Sequence, residues 1–158
     1  MKTLKAYIET NLANGFIQRS SLPTAAPILV GKKKDGGLGQ CVEYRAHNRA
    51  MVKNRYPLPL ISEMPDRLHG AQIFTKLDLS NAYHLIRIMQ GDKYKTAFCT
   101  QYHQFKYQVM LFGLPNAPTM FQAHIYDCLR PFIDDLAVCY LDHIPLHTTN
   151  EEEHEQQV

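Results

Sequence analysis

The chain has 158 residues, 45% hydrophobic and 20% charged, with 17 Lys and Arg against 15 Asp and Glu for a formal net charge of +2. That length and apolar share fit one globular domain with a real core, or a large piece of a bigger protein, and no apolar run is long enough to span a membrane. The mild charge does not by itself announce a nucleic-acid partner. Four widely spaced cysteines (Cys41, Cys99, Cys128, Cys139) with no CxxC pair argue against a disulfide framework and give structural zinc little support.

In chain order, MKTLKAYIETNLANG places Leu4, Tyr7, Ile8 and Leu12 on one face, which predicts a helix over 3–14 closed by Gly15. It lacks the unbroken apolar core of a signal peptide, so an intracellular protein is expected. After a Ser/Pro-rich extended stretch, APILVGKKKDGGLGQCVEYR reads as two β-like runs about Asp35-Gly36-Gly37, a hairpin with a basic strand end. NRYPLPLI is extended, because Pro57 and Pro59 forbid helix. Ser62 is placed to cap a short helix through Leu68, with Pro65 in its first turn and Gly70 as its stop. QIFTKLDL then reads as a buried strand ending on Asp78. Short β-like runs follow at HLIRIM, KTAFCT and FKYQVML, then a long helix over 116–134, then LAVCYL as a second apolar strand running into Asp142. There is no repeat and no low-complexity linker. The pattern predicts an α+β fold with mostly antiparallel pairing rather than a βαβ alternation. Basic clusters at Lys32-Lys33-Lys34, Lys53 with Arg55, and Lys93 with Lys95, and the acidic Glu151-Glu152-Glu153, each read alone as solvated surface.

Asp78 and Asp142 each terminate an apolar strand. A carboxylate is costly inside a sheet unless paired or metal-bound, so two at strand ends suggest one shared site. Phosphoryl transfer on two divalent ions about 3.5–4 Å apart needs such an arrangement. Hard oxygen donors suit Mg²⁺. From pattern alone this stands level with a reading in which both aspartates only cap turns. Asp134-Asp135 lies between the long helix and the strand and reads as helix termination. Cys139, His143 and His147 would share one strand face, but successive members would lie about 13 Å apart, which does not make a tetrahedral zinc site.

The blocks KKKDG, CVEYRAHN, VKNRYPLPLI, FTKLDLSNAYH, KTAFCT, FGLPNAP-TMFQ, LRPF and YLD occur in order and at matching spacing. Over roughly residues 4–155 the chain resembles the fingers and palm of a reverse transcriptase from a gypsy-type LTR retrotransposon. The resemblance implies a right-hand polymerase: fingers over roughly 1–70 with part of 90–105, and palm over roughly 71–90 and 105–158. It makes the whole chain a reverse-transcriptase domain fragment. The family's thumb and ribonuclease H domain would lie further along a polyprotein. Implied partners are an RNA or DNA template with primer and a dNTP, with no membrane, and the implied cofactor is Mg²⁺, with Mn²⁺ as a substitute. The cytoplasm, a virus-like particle and the nucleus are the compartments such an element uses.

By the same resemblance, Asp78 is the first metal-binding aspartate, and Leu79 the neighbour whose backbone carbonyl also reaches a metal. Asn81 and Ala82 present backbone N–H groups to the triphosphate, and Tyr83 is the aromatic gate against a ribose 2′-hydroxyl. Lys33 is the fingers lysine on the triphosphate, a task that suits a flexible point charge. Phe112 and Gly113 pack near the nucleotide sugar and template. Asp142 is the first aspartate of the Tyr-x-Asp-Asp hairpin.

His143 departs from this pattern, standing where the family has its third carboxylate. It offers nitrogen, a better ligand for zinc or manganese than for magnesium, and removes a negative charge beside two dications. Losing one such ligand is expected to cost on the order of 10³-fold or more in rate. Pro145 in the returning strand removes a ladder hydrogen bond and suits only an edge. Gly39 replaces a fingers arginine, Leu111 and Pro115 alter the segment around Phe112, and His47 replaces an apolar residue. The expectation is an RNA-directed DNA polymerase domain, impaired or inactive at His143. The alternative is a non-catalytic nucleic-acid-binding remnant of a mobile element.

Overall fold

A computed structural model describes residues 2–32, 38–133 and 135–157. The chain forms two compact units, Met1–Val52 with Tyr83–Ala117, and Lys53–Ala82 with Pro118–Val158.

In the first unit, α1 (Lys2–Ala13) forms where the apolar spacing predicts and buries Leu4 and Ile8. Its end is a Schellman motif: Phe16 N–H donates to the Asn11 carbonyl at 2.9 Å and Gly15 N–H to the Leu12 carbonyl at 3.0 Å, with Gly15 at φ 67°. Five strands make one sheet: β1 (Ile17–Arg19), β2 (Ala26–Lys32), β3 (Leu38–Val42), β5 (Phe98–Cys99) and β6 (Gln104–Tyr107), in the order β1-β6-β5-β2-β3. Every pairing is antiparallel except β2 with β5. The hairpin of β2 and β3 is present, and its expected turn at Asp35-Gly36-Gly37 lies outside the described residues.

Phe98, Phe105, Tyr107, Tyr44 and Leu111 join Leu4, Ile8, Ile17 and Val42 in the core of this unit. Several of its buried polar groups are paired, while Gln40 Nε2, His47 Nε2, Asn48 Oδ1, His84 Nδ1 and Gln108 Nε2 have no hydrogen-bond partner among the described residues. Thr96 Oγ1 accepts the Tyr107 N–H at 2.9 Å and donates to the Lys93 carbonyl at 2.7 Å. The Tyr7 and Tyr107 hydroxyls share a 2.6 Å bond, and burial pushes both phenols above their ordinary range.

Two β-like runs in this region are less regular than the pattern suggests. HLIRIM begins in a 3₁₀ turn, Ala82–Leu85, and then makes only a single bridge among the described residues, Arg87↔Val109. KTAFCT carries the expected strand at Phe98–Cys99 (β5), and only its first two residues lie in another 3₁₀ turn, Lys93–Thr96, where the Thr96 hydroxyl donates to the Lys93 carbonyl. A short helix that the pattern did not suggest, α2 (Arg45–Ala50), follows β3.

In the second unit, NRYPLPLI has no regular structure, as its prolines require. Ser62 falls inside a 3₁₀ turn (Ile61–Glu63) that leads into α3 (Met64–Arg67), and neither element has a side-chain cap. Pro65 does lie in the first turn of α3, and Gly70 follows it at φ 84°. β4 (Ile73–Asp78) pairs antiparallel with β7 (His143–Thr148), from Ile73↔Thr148 to Asp78↔His143. Helix α4 (Ala117–Leu129) stops well short of residue 134, since Pro131 cannot continue it. Ile144, Leu146 and Thr148 point to one side of β7 and are buried, while His143, Pro145 and His147 point to the other and are not. β4 is more open than a buried strand: Phe74 is 53% and Leu77 41% exposed, because β7 is its sole strand neighbour among the described residues.

A further helix, α5 (Glu151–Gln157), takes up the acidic run. Its cap is reciprocal: Glu153 N–H donates to Asn150 Oδ1 at 2.8 Å, and Asn150 Nδ2 donates to Glu153 Oε2 at 3.2 Å. Buried His154 ties the helix to the sheet, its ring nitrogens lying 2.7 Å from Thr75 Oγ1 and 3.0 Å from Thr148 Oγ1. Asn150→Ala removes the cap and is expected to cost about 1 kcal/mol in urea unfolding, with α5 amides exchanging faster.

Candidate active site

The end of the β4–β7 ladder brings Asp78 and Leu79 beside Asp142 and His143. Leu79 N–H donates to the Asp142 carbonyl at 3.1 Å, which extends the register one step beyond Asp78↔His143. Asp78 and His143 face each other as a direct cross-strand pair, with His143 Nδ1 3.7 Å from Asp78 Oδ2. Lys76 Nζ lies 3.7 Å from the same oxygen. Asp78 is exposed and Asp142 half-buried.

Tyr140 and His143 exchange both backbone bonds, Tyr140 N–H to the His143 carbonyl at 3.0 Å and His143 N–H to the Tyr140 carbonyl at 3.1 Å. Leu141-Asp142 is therefore a two-residue hairpin loop. Leu141 has φ 54° and Asp142 has no positive φ, the dihedral signature of a type II′ turn, whose first position favours glycine. A leucine there is strained. Gln122 of α4, fully buried, faces this loop: its Nε2 donates to the Cys139 carbonyl at 3.2 Å, and its Oε1 accepts the Leu141 N–H at 2.7 Å.

The apolar run before the turn lies along β7 without forming a regular strand, unlike the expected LAVCYL strand. Val138 N–H donates to the Pro145 carbonyl at 3.0 Å and His147 N–H to the Leu136 carbonyl at 2.8 Å. Pro145 has no N–H to return to Val138, so only isolated bridges remain, Ala137↔Leu146 and Tyr140↔His143. Pro145 is thus not at an edge: β7 is flanked by β4 on one side and by residues 136–140 on the other.

Asp78, Asp142 and the Leu79 carbonyl are hard oxygen donors at one ladder end, a donor set that fits a divalent ion such as Mg²⁺. Among the described residues no group of three or more His, Cys, Asp or Glu is arranged to hold a metal ion, so the full carboxylate set of a two-ion site is not assembled. Nor do Cys139, His143 and His147 converge. Cys139 is buried with its thiol 3.6 Å from the Leu141 carbonyl, and burial pushes that thiol up to about 11, against a lowering by Gln122.

Asn81, at φ 54°, is exposed, whereas Ala82 and Tyr83 are buried. The Tyr83 ring stands 4.2 Å from that of Phe112, centroid to centroid, with Phe112 68% exposed. Gly113 has φ 96°, where an L side chain would be strained, and its carbonyl accepts Asn48 Nδ2 at 2.7 Å. Asn116 Nδ2 donates to the Val52 carbonyl at 2.9 Å. Lys33 and Asp134 lie outside the described residues. Sequence reasoning missed Gln122 and Asn48. The one available signal for Gln122 was a lone amide beside Phe121 on a helix face otherwise apolar at Phe121 and Ile125.

Residues 32–158 match the reverse transcriptase (RNA-dependent DNA polymerase) family. The chain belongs to that family. Over all 158 residues it is 39% identical to the Transposon Tf2-3 and Tf2-4 polyproteins of Schizosaccharomyces pombe (strain 972 / ATCC 24843), of whose length it spans 12%. Among solved structures it is similar to the foamy viral protease-reverse transcriptase in complex with RNA/DNA hybrid, with a TM-score of 0.87 at 22% identity, covering 98% of this chain and 21% of that one. A second foamy viral protease-reverse transcriptase structure, in complex with double-stranded DNA, gives a TM-score of 0.86 at 23% identity over 97% of this chain and 27% of that one. At these identities the structures establish the fold, the α+β fingers and palm of a reverse transcriptase.

In this reverse-transcriptase chain, Pro145→Val supplies the missing N–H opposite Val138. Its new amide is expected to be protected from exchange, and the Tyr140 and His143 amides to slow about fivefold, as one net ladder bond of about 1 kcal/mol implies.

Proposed function

We propose that this chain is the fingers and palm of a gypsy-type LTR retrotransposon reverse transcriptase, built for RNA-directed DNA synthesis and strongly impaired at His143. The observation that carries the proposal is the Asp78↔His143 pair: the ladder brings the expected residues together, and the one facing Asp78 is an imidazole. Fingers are assigned to roughly 1–70 with part of 90–105, and palm to roughly 71–90 and 105–158. A template with primer and a dNTP are the substrates, and the thumb and ribonuclease H belong to the longer polyprotein. The reading places the protein inside the cell, in the cytoplasm, a virus-like particle or the nucleus. Among the described residues no helix is long and apolar enough to cross a membrane.

Asp78, Asp142 and the Leu79 carbonyl are the proposed ligands for Mg²⁺, with Mn²⁺ as its substitute. A divalent ion held there would supply charge neutralisation for the phosphates and activation of the primer 3′-hydroxyl. The chain's own groups explain the impairment. Asp78 and Asp142 contribute two negative charges, Lys76 beside Asp78 offsets one, and His143 adds none, where an aspartate would add a third. Attraction for a dication falls accordingly, and an imidazole favours Mn²⁺ over Mg²⁺. Asn81 and Ala82 are assigned through their N–H groups, and Lys33 through its ammonium, to the triphosphate. Tyr83, held by Phe112 beside Gly113, is assigned to discrimination against the ribose 2′-hydroxyl. The second reading, a nucleic-acid-binding remnant without turnover, draws on the basic run Lys32-Lys33-Lys34 of the fingers sequence.

Primer extension on an RNA template, in Mg²⁺ and separately in Mn²⁺, tests this with the native chain beside His143→Asp. The expected result is extension by the substituted chain at a rate about 10³-fold or more above the native one in Mg²⁺. Equal rates would overturn the assignment of the defect to His143. Silence from both, with salt-sensitive binding of primer-template, would favour the remnant.

A further inference from the structure

We infer that Gln122 is the positioning residue of the Leu141-Asp142 turn, holding Leu141 at positive φ and thereby fixing where Asp142 stands. The inference rests on the polymerase reading only for the chemical role of Asp142. The hairpin bonds join Tyr140 to His143 and leave the Leu141 N–H to be satisfied from elsewhere. Gln122 meets that need at 2.7 Å and also donates to the Cys139 carbonyl at 3.2 Å, so one amide grips the chain on both sides of Tyr140. Only one orientation of the amide satisfies both contacts, since its nitrogen must face a carbonyl and its oxygen an N–H.

The grip is rigid because Gln122 has no exposed surface and sits on α4 between buried Phe121 and Ile125. A buried amide is costly without partners, and this one bonds the Cys139 carbonyl and the Leu141 N–H, on either side of Tyr140. Relaxing Leu141 to negative φ would turn its N–H away from Oε1, stranding a donor and an acceptor together in a buried place. The strained turn is therefore the better-satisfied one. On its far side Asp142 is fixed by the bond from Leu79 N–H to its carbonyl. Gln122 on one flank and β4 on the other define the backbone from which the Asp142 carboxylate projects.

Amide hydrogen exchange on the ¹⁵N-labelled native chain, Gln122→Met and Gln122→Glu tests the inference without requiring activity. The Leu141 amide of the native chain is expected to be protected about 100-fold or more over its unstructured rate. In Gln122→Met that protection should fall about tenfold or more, while His147, bonded to the Leu136 carbonyl of the same hairpin, changes less than about twofold. Gln122→Glu keeps an acceptor for Leu141 and should retain more of its protection than the methionine variant. An unprotected Leu141 amide in the native chain would overturn the inference even if both variants failed to fold. So would a parallel loss at Leu141 and His147, which marks ordinary core damage. In a His143→Asp background, Gln122→Met should lower kcat while leaving KM for dNTP within about twofold, since it misplaces a group used in the chemical step. If His143→Asp extends no primer yet Leu141 exchange still follows Gln122, the turn assignment stands and the polymerase reading falls.

Discussion

The backbone bond from Leu79 N–H to the Asp142 carbonyl closes the β4–β7 ladder and sets two segments, more than sixty residues apart in sequence, in one register. Side chains alternate along a strand, so a slip of one residue would turn each of them to the opposite face. That slip is opposed by burial. Ile144, Leu146 and Thr148 fill the interior side of β7, and His154 bonds Thr75 and Thr148 across the two strands. Apolar packing and one threonine-histidine-threonine bridge thus determine that Asp78 meets residue 143 and not 142 or 144. The pairing of Asp78 with His143 at the end of the ladder is a consequence of what is buried along its other face.

The same alternation sorts the departures from the reverse-transcriptase pattern. His143 and Pro145 lie on the open side of β7, while the interior positions between and beyond them remain apolar or hydrogen-bonded. Pro145 removes one N–H from the ladder, yet its carbonyl still accepts Val138, and the turn beyond it keeps both Tyr140–His143 bonds. The fold absorbs these residues because each costs little where it stands. A histidine in place of an acid costs a folded protein nothing when half of it faces water, and it can cost a polymerase most of its rate.

Much of this was legible in the sequence. The helix closed by Gly15, the β2–β3 hairpin and the strand ending on Asp78 follow from periodicity and turn residues, which are local. The misreadings share a cause. Thr96, which ends a 3₁₀ turn where KTAFCT begins, and Asn150, which starts α5, act through side-chain bonds to backbone that apolar periodicity does not register. Ser62 had the right chemistry for a cap and the wrong place, one residue inside a 3₁₀ turn. β4 looked buried because its residues are apolar, but with one strand neighbour its outer edge is open. Asp78 and Asp142 stood out by position in the chain, whereas Gln122 acts only through the hairpin it touches, twenty residues on.

Backbone strain at Leu141 bears on how such sites are recognised. Positive φ at a leucine is expected where function has held an unfavourable conformation, and the inference from strain to function is a common one. Here the strain has a mechanical support of its own: a fully buried amide that loses two partners if the turn relaxes. That support does not involve His143, a metal or a nucleotide. A core side chain bonded on both sides of Tyr140 holds the strained turn without help from the side chains at its tip. The conformation at residues 140–143 is therefore held by backbone bonds and a buried amide rather than by the side chain of residue 143.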